Sequence, residues 1–395
     1  MLSTVLFAQA VILSPPANTK IALAELLSTC IESAQRGCSE IRRVHATLDR
    51  DVGALSEVEV DYKISGDIRS ALTSADTAAQ SAVVNALKRA WPGIRIVGEE
   101  DLACSVDTDC TTGSVCSSEL CVIEEESSAL RTDLCMGMRD ARLEPLDDIT
   151  VFVDPLDGTR EFVEGRVWNC QTLIGISVRG IAVAGAIGLP FASGSVDSEA
   201  AVVYALVGAG PPQVYGQRAD PNDPVHGGGV PADGDRPLLV AGDVNDDALA
   251  AAYALALGDG GRSVLLGGTG QKCLAVAEGR ADVAIMNFKS SSWDTCAPEA
   301  VVRAAGGELT DLFGERLVYR PTPLEDDDAG YLNACGVLAS SAPYVERHRA
   351  VCAGLRAEPH ALQRLGAWGL GEGDVERTEV ERVLRSRRAM LLGDP

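Results

Sequence analysis

Apolar residues recur at helical spacing over residues 19–48, where Ile21, Leu23, Leu26, Leu27, Ile31, Ile41 and Val44 mark one stripe. Gly37 is placed to bend or divide that helix. Residues 58–64 alternate like a strand with one wet face. Asp76 opens a second helix that runs to Ala90, an acid at the positive end of the helix dipole, and Trp91-Pro92-Gly93 stops it. Ile94 to Val97 then reads as a short strand leading into Gly98-Glu99-Glu100-Asp101. Val151, Phe152 and Val153 end a further buried strand, which Pro155 should terminate because it cannot donate to the ladder. Thr172 to Val178 and Ile181 to Ile187 form a strand pair turned at Arg179-Gly180, and Pro190 closes the first half. Residues 208–237, rich in Gly, Pro and Asp, form a long loop or a junction.

Strand and helix alternate beyond it. Pro237 to Ala241 is a strand, 246–257 a helix and 263–266 a strand. Gly267-Gly268-Thr269-Gly270 opens a helix through Glu278, and Ala281 to Met286 is another buried strand. Asp294 caps a helix of about 297–305 whose start is marked by Pro298. Short strands follow at 308–311 and 336–339. The pattern divides the chain into an extension (1–18), a first α+β half (19–190) with an insertion at 103–147, a second α/β half (191–345), and a charged helical tail (346–395) read as peripheral.

Composition sharpens this picture. The chain has 395 residues, 46 % hydrophobic but only 4 % aromatic, so its core is aliphatic and suits helices packed on sheets. The formal charge of −23 repels nucleic acid and anionic membranes, and neither is expected as a partner. A phosphate substrate would need cations held at the site. No window approaches the run of about 18–20 apolar residues that spans a bilayer. Residues 1–13 are apolar but carry no Lys or Arg ahead of the run, a poor secretory signal. The expected setting is cytoplasmic, with organellar or secretory targeting left open.

Most of the twelve cysteines sit singly in apolar surroundings and read as buried thiols. Cys104, Cys110, Cys116 and Cys121 instead fall together among Ser, Thr, Asp and Gly. They imply two disulfides or a small zinc site, and the absence of a Cys-x-x-Cys pair weakens zinc. Disulfides would imply oxidation, whereas the scattered thiols imply a reducing compartment; both stay open.

The candidate chemistry lies at Val153-Asp154-Pro155-Leu156-Asp157-Gly158-Thr159. Two carboxylates project from a strand end with the Leu156 carbonyl between them, an all-oxygen donor set suited to Mg²⁺. Thr159 adds a hydroxyl. If the strand ending at Glu99 lies beside this one, Glu99 joins Asp154 and Asp157. Asp294 either only caps its helix or also lends an oxygen to a metal. The Gly267–Gly270 turn before a helix is an anion cradle or simply a turn, and Lys272 favours the cradle.

Taken together, IVGEEDL (96–102), VDPLDGTREF (153–162) and WDTCAPE (293–299) resemble the signature of the lithium-sensitive, magnesium-dependent phosphatases of the inositol monophosphatase superfamily. LTDLFGERLVY (309–319) and NACGVLA (333–339) are most similar to its 3′(2′),5′-bisphosphate nucleotidase branch. The resemblance spans roughly residues 19–345. It implies a layered αβαβα sandwich with the site between two halves, and two or three Mg²⁺ ions held by Glu99, Asp154, the Leu156 carbonyl, Asp157 and Asp294. It also implies a small-molecule phosphate substrate contacted by Gly158, Thr159, Gly268 and Lys272. Thr159 would orient the attacking water with an acid partner, for which Asp67 is the closest candidate although its loop is longer than usual.

Two further departures bear on function. Ala241-Gly242-Asp243-Val244-Asn245 stands where the nucleotidases carry a Ser/Arg-Ser-His stretch, and the cysteine-rich insertion has no counterpart. The implied activity is removal of the 3′-phosphate from adenosine 3′,5′-bisphosphate or its 5′-phosphosulfate relative. An inositol phosphate phosphatase and a non-catalytic member that binds metal and nucleotide are the alternatives. Oligomeric state stays open.

Overall fold

The structure, a computed structural model, describes residues 19–50, 61–62, 71–72, 74–100, 130–138, 142–192, 199–220, 238–242, 247–286, 290–322, 331–333 and 335–357. The extension 1–18, the four clustered cysteines, Asp67 and the tail beyond residue 357 lie outside the described residues.

A short strand β1 (Lys20–Ala22) precedes helix α1 (Leu23–Arg50), and the two-residue strands β2 (Asp61–Tyr62) and β3 (Ala71–Leu72) pair with each other. Helix α1 is unbroken at Gly37. The glycine serves packing instead, since a Cβ there would lie 3.0 Å from Val83 Cγ2 and 3.2 Å from Thr172 Cγ2. Helix α2 (Ser74–Ala90) packs beside α1, and β4 (Arg95–Gly98) follows. Strand β5 (Leu143–Pro145) pairs antiparallel with β1, so the chain rejoins the fold before the expected end of the insertion.

Strand β6 (Ile149–Asp157) is buried throughout and does not stop at Pro155. Its ladder with β7 (Gln171–Val178) shifts register between Asp154 and Asp157, and the proline sits inside that irregularity, where its missing N–H breaks no regular bond. Thr159–Val163 forms the short helix α3 between these strands. Strand β8 (Ile181–Leu189) returns through the Arg179-Gly180 turn. Pro190 does not close the sheet, because β9 (Ala201–Leu206) and β10 (Gln213–Tyr215) extend it. The six-stranded order is β10-β9-β8-β7-β6-β4, antiparallel except for the parallel β4–β6 pair. Strands β6 and β7 are wholly buried, as continuous apolar runs covered on both faces must be.

The second sheet, in order β12-β11-β13-β15-β14, holds five strands. They are β11 (Leu238–Ala241), β12 (Arg262–Leu265), β13 (Val283–Met286), β14 (Glu308–Thr310) and β15 (Val337–Ser340). Helix α4 (Asp247–Leu257) follows β11, α5 (Thr269–Ala277) follows β12 and α6 (Ser292–Ala304) follows β13. Helices α1 and α2 cover one face of the six-stranded sheet. Helices α5 and α6 lie between the sheets, and α4 packs with α7 (Val345–Ala357) outside the second sheet. This is an αβαβα sandwich. Helix α7 is not peripheral: His348, Val351, Cys352 and Leu355 are all buried.

Helix α6 starts earlier than Pro298 implies. Ser291 is its N-cap, Asp294 lies in its first turn and accepts a hydrogen bond from Ser291 N at 2.5 Å, and Pro298 falls inside the helix. The helix rests directly on the six-stranded sheet. A Cβ at Gly185 would come 2.4 Å from Ala297 O, and one at Gly175 2.5 Å from Ala297 N. That close approach carries Asp294 to the end of β6.

Candidate metal centre

The irregular end of β6 orients its two acids. Asp154 Oδ1 accepts a hydrogen bond from Leu156 N at 3.0 Å, which closes the turn around Pro155. Asp157 reaches the other half of the molecule, its Oδ1 accepting from Thr269 N (2.9 Å) and its Oδ2 from Gly270 N (2.7 Å). These amides begin α5, so a carboxylate of the chain itself occupies the N-terminus of that helix. With Asp294 from α6, ligand oxygens of Asp154, Asp157 and Asp294 lie within 4.8 Å of one another.

Such a group opposes its own ionisation. Burial pushes the Asp154 carboxyl well above its ordinary value, and Glu99, Asp294, Asp157 and Asp76 push it further. Burial raises Asp157 to about 6, with Lys272 and the two α5 amides pulling the other way. Asp294 rises to about 7 through burial and then the charges of Glu99 and Asp157. Asp154 Oδ2 is buried without a hydrogen-bond partner. An orphaned carboxylate oxygen facing mutually repelling acids fits a hard divalent cation with oxygen ligands.

The parallel β4–β6 pair brings Glu99 to this edge, where its N–H donates to Val153 O at 3.1 Å. Its charge acts on all three aspartates, but its carboxylate stands outside the 4.8 Å group. The Leu156 carbonyl accepts from Thr159 Oγ1 at 3.1 Å, and the same hydroxyl faces Asp76 Oδ2 at 3.4 Å. Among the described residues Asp76 is therefore the acid at Thr159. In the sequence Asp76 opens α2 and ends Thr73-Ser74-Ala75-Asp76, which matches the family's Thr-x-Ala/Gly-Asp segment, whereas the resemblance points to Asp67, ahead of that segment, as the acid.

Gly158 turns the chain out of β6 with φ 88°, and Gly268 precedes α5 with φ 69°, where a Cβ would lie 2.9 Å from Asp157 Oδ2. The buried Lys272 donates from Nζ to Gly268 O (2.7 Å) and Leu266 O (3.2 Å), and burial lowers its pKa. The Gly267–Gly270 turn is thus braced by its own lysine, and its cradle amides hold Asp157. Sequence reading also passed over Glu161. It is buried, its carboxylate takes hydrogen bonds from Arg166 Nε (2.6 Å), Arg166 Nη2 (2.7 Å) and Asn169 Nδ2 (3.0 Å), and its Cδ would lie 2.1 Å from a Cβ at Gly267.

Residues 23–353 match the model of the inositol monophosphatase family. The chain belongs to that family. It is 32 % identical over 314 residues to 3′(2′),5′-bisphosphate nucleotidase 1 of Dictyostelium discoideum, an alignment covering 76 % of this chain and 88 % of that one. Against 3′(2′),5′-bisphosphate nucleotidase 1 of Homo sapiens it is 29 % identical over 333 residues, covering 83 % and 94 %. Inositol monophosphatase-II of Staphylococcus aureus superposes with a TM-score of 0.52 at 16 % identity, covering 89 % of this chain and all (100 %) of the other, a likeness of fold.

As an inositol monophosphatase family member the protein is a phosphatase, and a cavity lies against the first turn of α5. Gly242, Leu249, Tyr253, Thr269, Lys272, Ile285 and Met286 line it, so the first turn of α5 that grips Asp157 also forms one of its walls. No helix among the described residues is long and apolar enough to cross a membrane.

Proposed function

We propose that the protein is a Mg²⁺-dependent, lithium-sensitive phosphomonoesterase that removes the 3′-phosphate from adenosine 3′,5′-bisphosphate or its 5′-phosphosulfate relative. The observation that carries the reading is the convergence of Asp154, Asp157 and Asp294 around the unpartnered Asp154 Oδ2. Their carboxylates, with Glu99 and the Leu156 carbonyl, would hold the ions. Bound divalent cations supply charge neutralisation for the phosphate dianion and a lowered pKa for water. Thr159 donates its proton to Leu156 O or Asp76, which leaves its oxygen lone pairs to accept from the attacking water and aim it. Lys272 adds a positive charge beneath the Gly267–Gly270 turn, where a protein of net charge −23 otherwise repels an anionic substrate. Gly158 and Gly268 let backbone approach that substrate closely.

The names of the relatives support a nucleotide over an inositol substrate. So does the cavity wall of Leu249, Tyr253, Ile285 and Met286, which suits a planar base better than a ring of hydroxyls. Cys30, Cys38, Cys135, Cys170, Cys273, Cys296 and Cys352 are buried thiols outside any disulfide, which supports a reducing, cytoplasmic setting. Phosphate release from adenosine 3′,5′-bisphosphate, inositol 1-phosphate and inositol 1,4-bisphosphate, each with Mg²⁺ and with added Li⁺, tests the proposal. The nucleotide should have the highest kcat/KM. Preference for an inositol phosphate would move the protein to that substrate class, and ligand-dependent thermal stabilisation without turnover at any Mg²⁺ level would make it a binding protein.

A further inference from the structure

Gln171 faces Asp157 across the β6–β7 ladder, at the first paired position beyond the irregularity around Pro155. Its side chain lies wholly inside the protein, as does that of Gln271 in the first turn of α5. Gln171 Nε2 donates to Gln271 Oε1 at 2.6 Å and so joins the two halves across 100 residues of sequence. Gln171 Oε1 is buried and has no hydrogen-bond partner. It rests against Gly270, where a Cβ would lie 2.1 Å from it and 3.0 Å from Asp157 Oδ2. Gly270 N in turn donates to Asp157 Oδ2. The strand acid, the strand amide and the first turn of the helix therefore form one contiguous cluster.

A carboxamide acceptor buried without a donor is unfavourable, and a side chain kept in that state by a functional site is a familiar compromise. The carboxylate of Asp157 is gripped by two adjacent amides, so its rotation follows the position of the first turn of α5. That position is set relative to β7 by the paired glutamines. We propose that Gln171 is a positioning residue: its bond to Gln271 holds the Thr269 and Gly270 amides in place, and with them the face that Asp157 turns toward Asp154 and Asp294. This inference rests on the metal-binding role proposed for Asp157.

The test uses the full chain and Mg²⁺ alone, titrated while the thermal midpoint is recorded, beside kcat and KM with the preferred substrate. Gln171→Leu should raise the Mg²⁺ concentration for half-maximal stabilisation about tenfold or more and lower kcat in parallel, with KM little changed. Gln271→Met breaks the same bond from the helix side and should match it, and also serves if Gln171→Leu fails to fold. The double variant should be no worse than either single one. A lower metal-free midpoint with an unchanged Mg²⁺ titration and kcat would make the bridge purely structural and overturn the proposal. Asp157→Asn separates the two failures. If it still binds Mg²⁺ normally, the metal role of Asp157 falls; if it does not while Gln171→Leu does, only the positioning role falls.

Discussion

Thr159 Oγ1 stands 3.1 Å from the carbonyl oxygen of Leu156 and 3.4 Å from Asp76 Oδ2. One hydroxyl proton cannot serve both acceptors at once. Whichever takes it leaves the lone pairs of the threonine oxygen able to accept a hydrogen bond.

From that geometry, Thr159→Ala and Asp76→Asn should each lower kcat by roughly 100-fold or more, a loss typical of a removed proton-handling group. Because the two side chains act through one hydrogen bond, the double variant should lose little beyond the worse single one. Additive losses would show that Asp76 acts elsewhere, and an undiminished kcat in Asp76→Asn would leave it a helix-capping acid. Steady-state kinetics on the four proteins decide between these outcomes.

The acids themselves should tie stability to metal and pH. Asp157 at about 6 and Asp294 at about 7 both lie above the 3.8 of an unfolded aspartate. A raised folded pKa favours the native state fully below 3.8, and that contribution is lost as pH rises through 6 to 7. Chelator-treated protein should therefore lose stability across that window. Added Mg²⁺ binds the ionised forms, so its stabilising effect should grow as pH rises. Thermal midpoints at pH 5.5 and 8, with EDTA and with Mg²⁺, measure this. A metal-induced shift of equal size at both pH values would contradict it.

How far the sequence could be read depended on where each residue's partners lie. Strands β6, β7 and β13 and helices α2 and α5 are written in local periodicity and turn residues, and the acids of three separate motifs pointed to one place. What stayed hidden is non-local. Pro155 looked like a terminator because the register shift that admits it belongs to the β6–β7 pair, not to β6. Gly37 looked like a break because Val83 and Thr172, which press on it, are distant in the chain. Asp76 looked like a capping acid because Thr159 lies 83 residues away. Strand β10 is hidden inside the Gly- and Pro-rich stretch 208–237, and the role of α7 depends on a surface supplied by α4.

The seat of α6 on the sheet offers a test of how Asp294 reaches the cluster. At Gly185 a Cβ would meet Ala297 O at 2.4 Å and Ala297 Cα at 2.8 Å, both backbone, so no side chain can turn aside to relieve it. Gly185→Ala should push the helix outward, costing about 1–3 kcal/mol in urea unfolding, and should raise the Mg²⁺ requirement because Asp294 moves with the helix. An unchanged Mg²⁺ requirement in a destabilised variant would mean that the first turn of α6 is positioned independently of its second.

His348 gives the opposite pH signature, far from the acids. It is buried between Ser340 and Thr310, with Nδ1 2.8 Å from Ser340 Oγ and Nε2 2.9 Å from Thr310 Oγ1. Thr310 Oγ1 donates to Asp311 O at 2.6 Å, so it accepts from Nε2–H, and Nδ1 accepts from Ser340. That pairing satisfies the neutral ring; a second ring proton would face the Ser340 hydroxyl donor. Burial, helped by the charge of Arg349, lowers the pKa from 6.5 to about 4. A depressed folded pKa gives stability that is complete above 6.5 and lost as pH falls toward 4. The shift corresponds to roughly 3 kcal/mol. The advantage of wild type over His348→Gln, measured by urea unfolding, should shrink by about that amount between pH 7 and pH 4, whereas the acid cluster, common to both proteins, cancels in the difference. A gap that stays constant across this range would mean that the titration of His348 is not linked to folding, and a gap that widens as pH falls would mean that the folded protein holds the ring protonated.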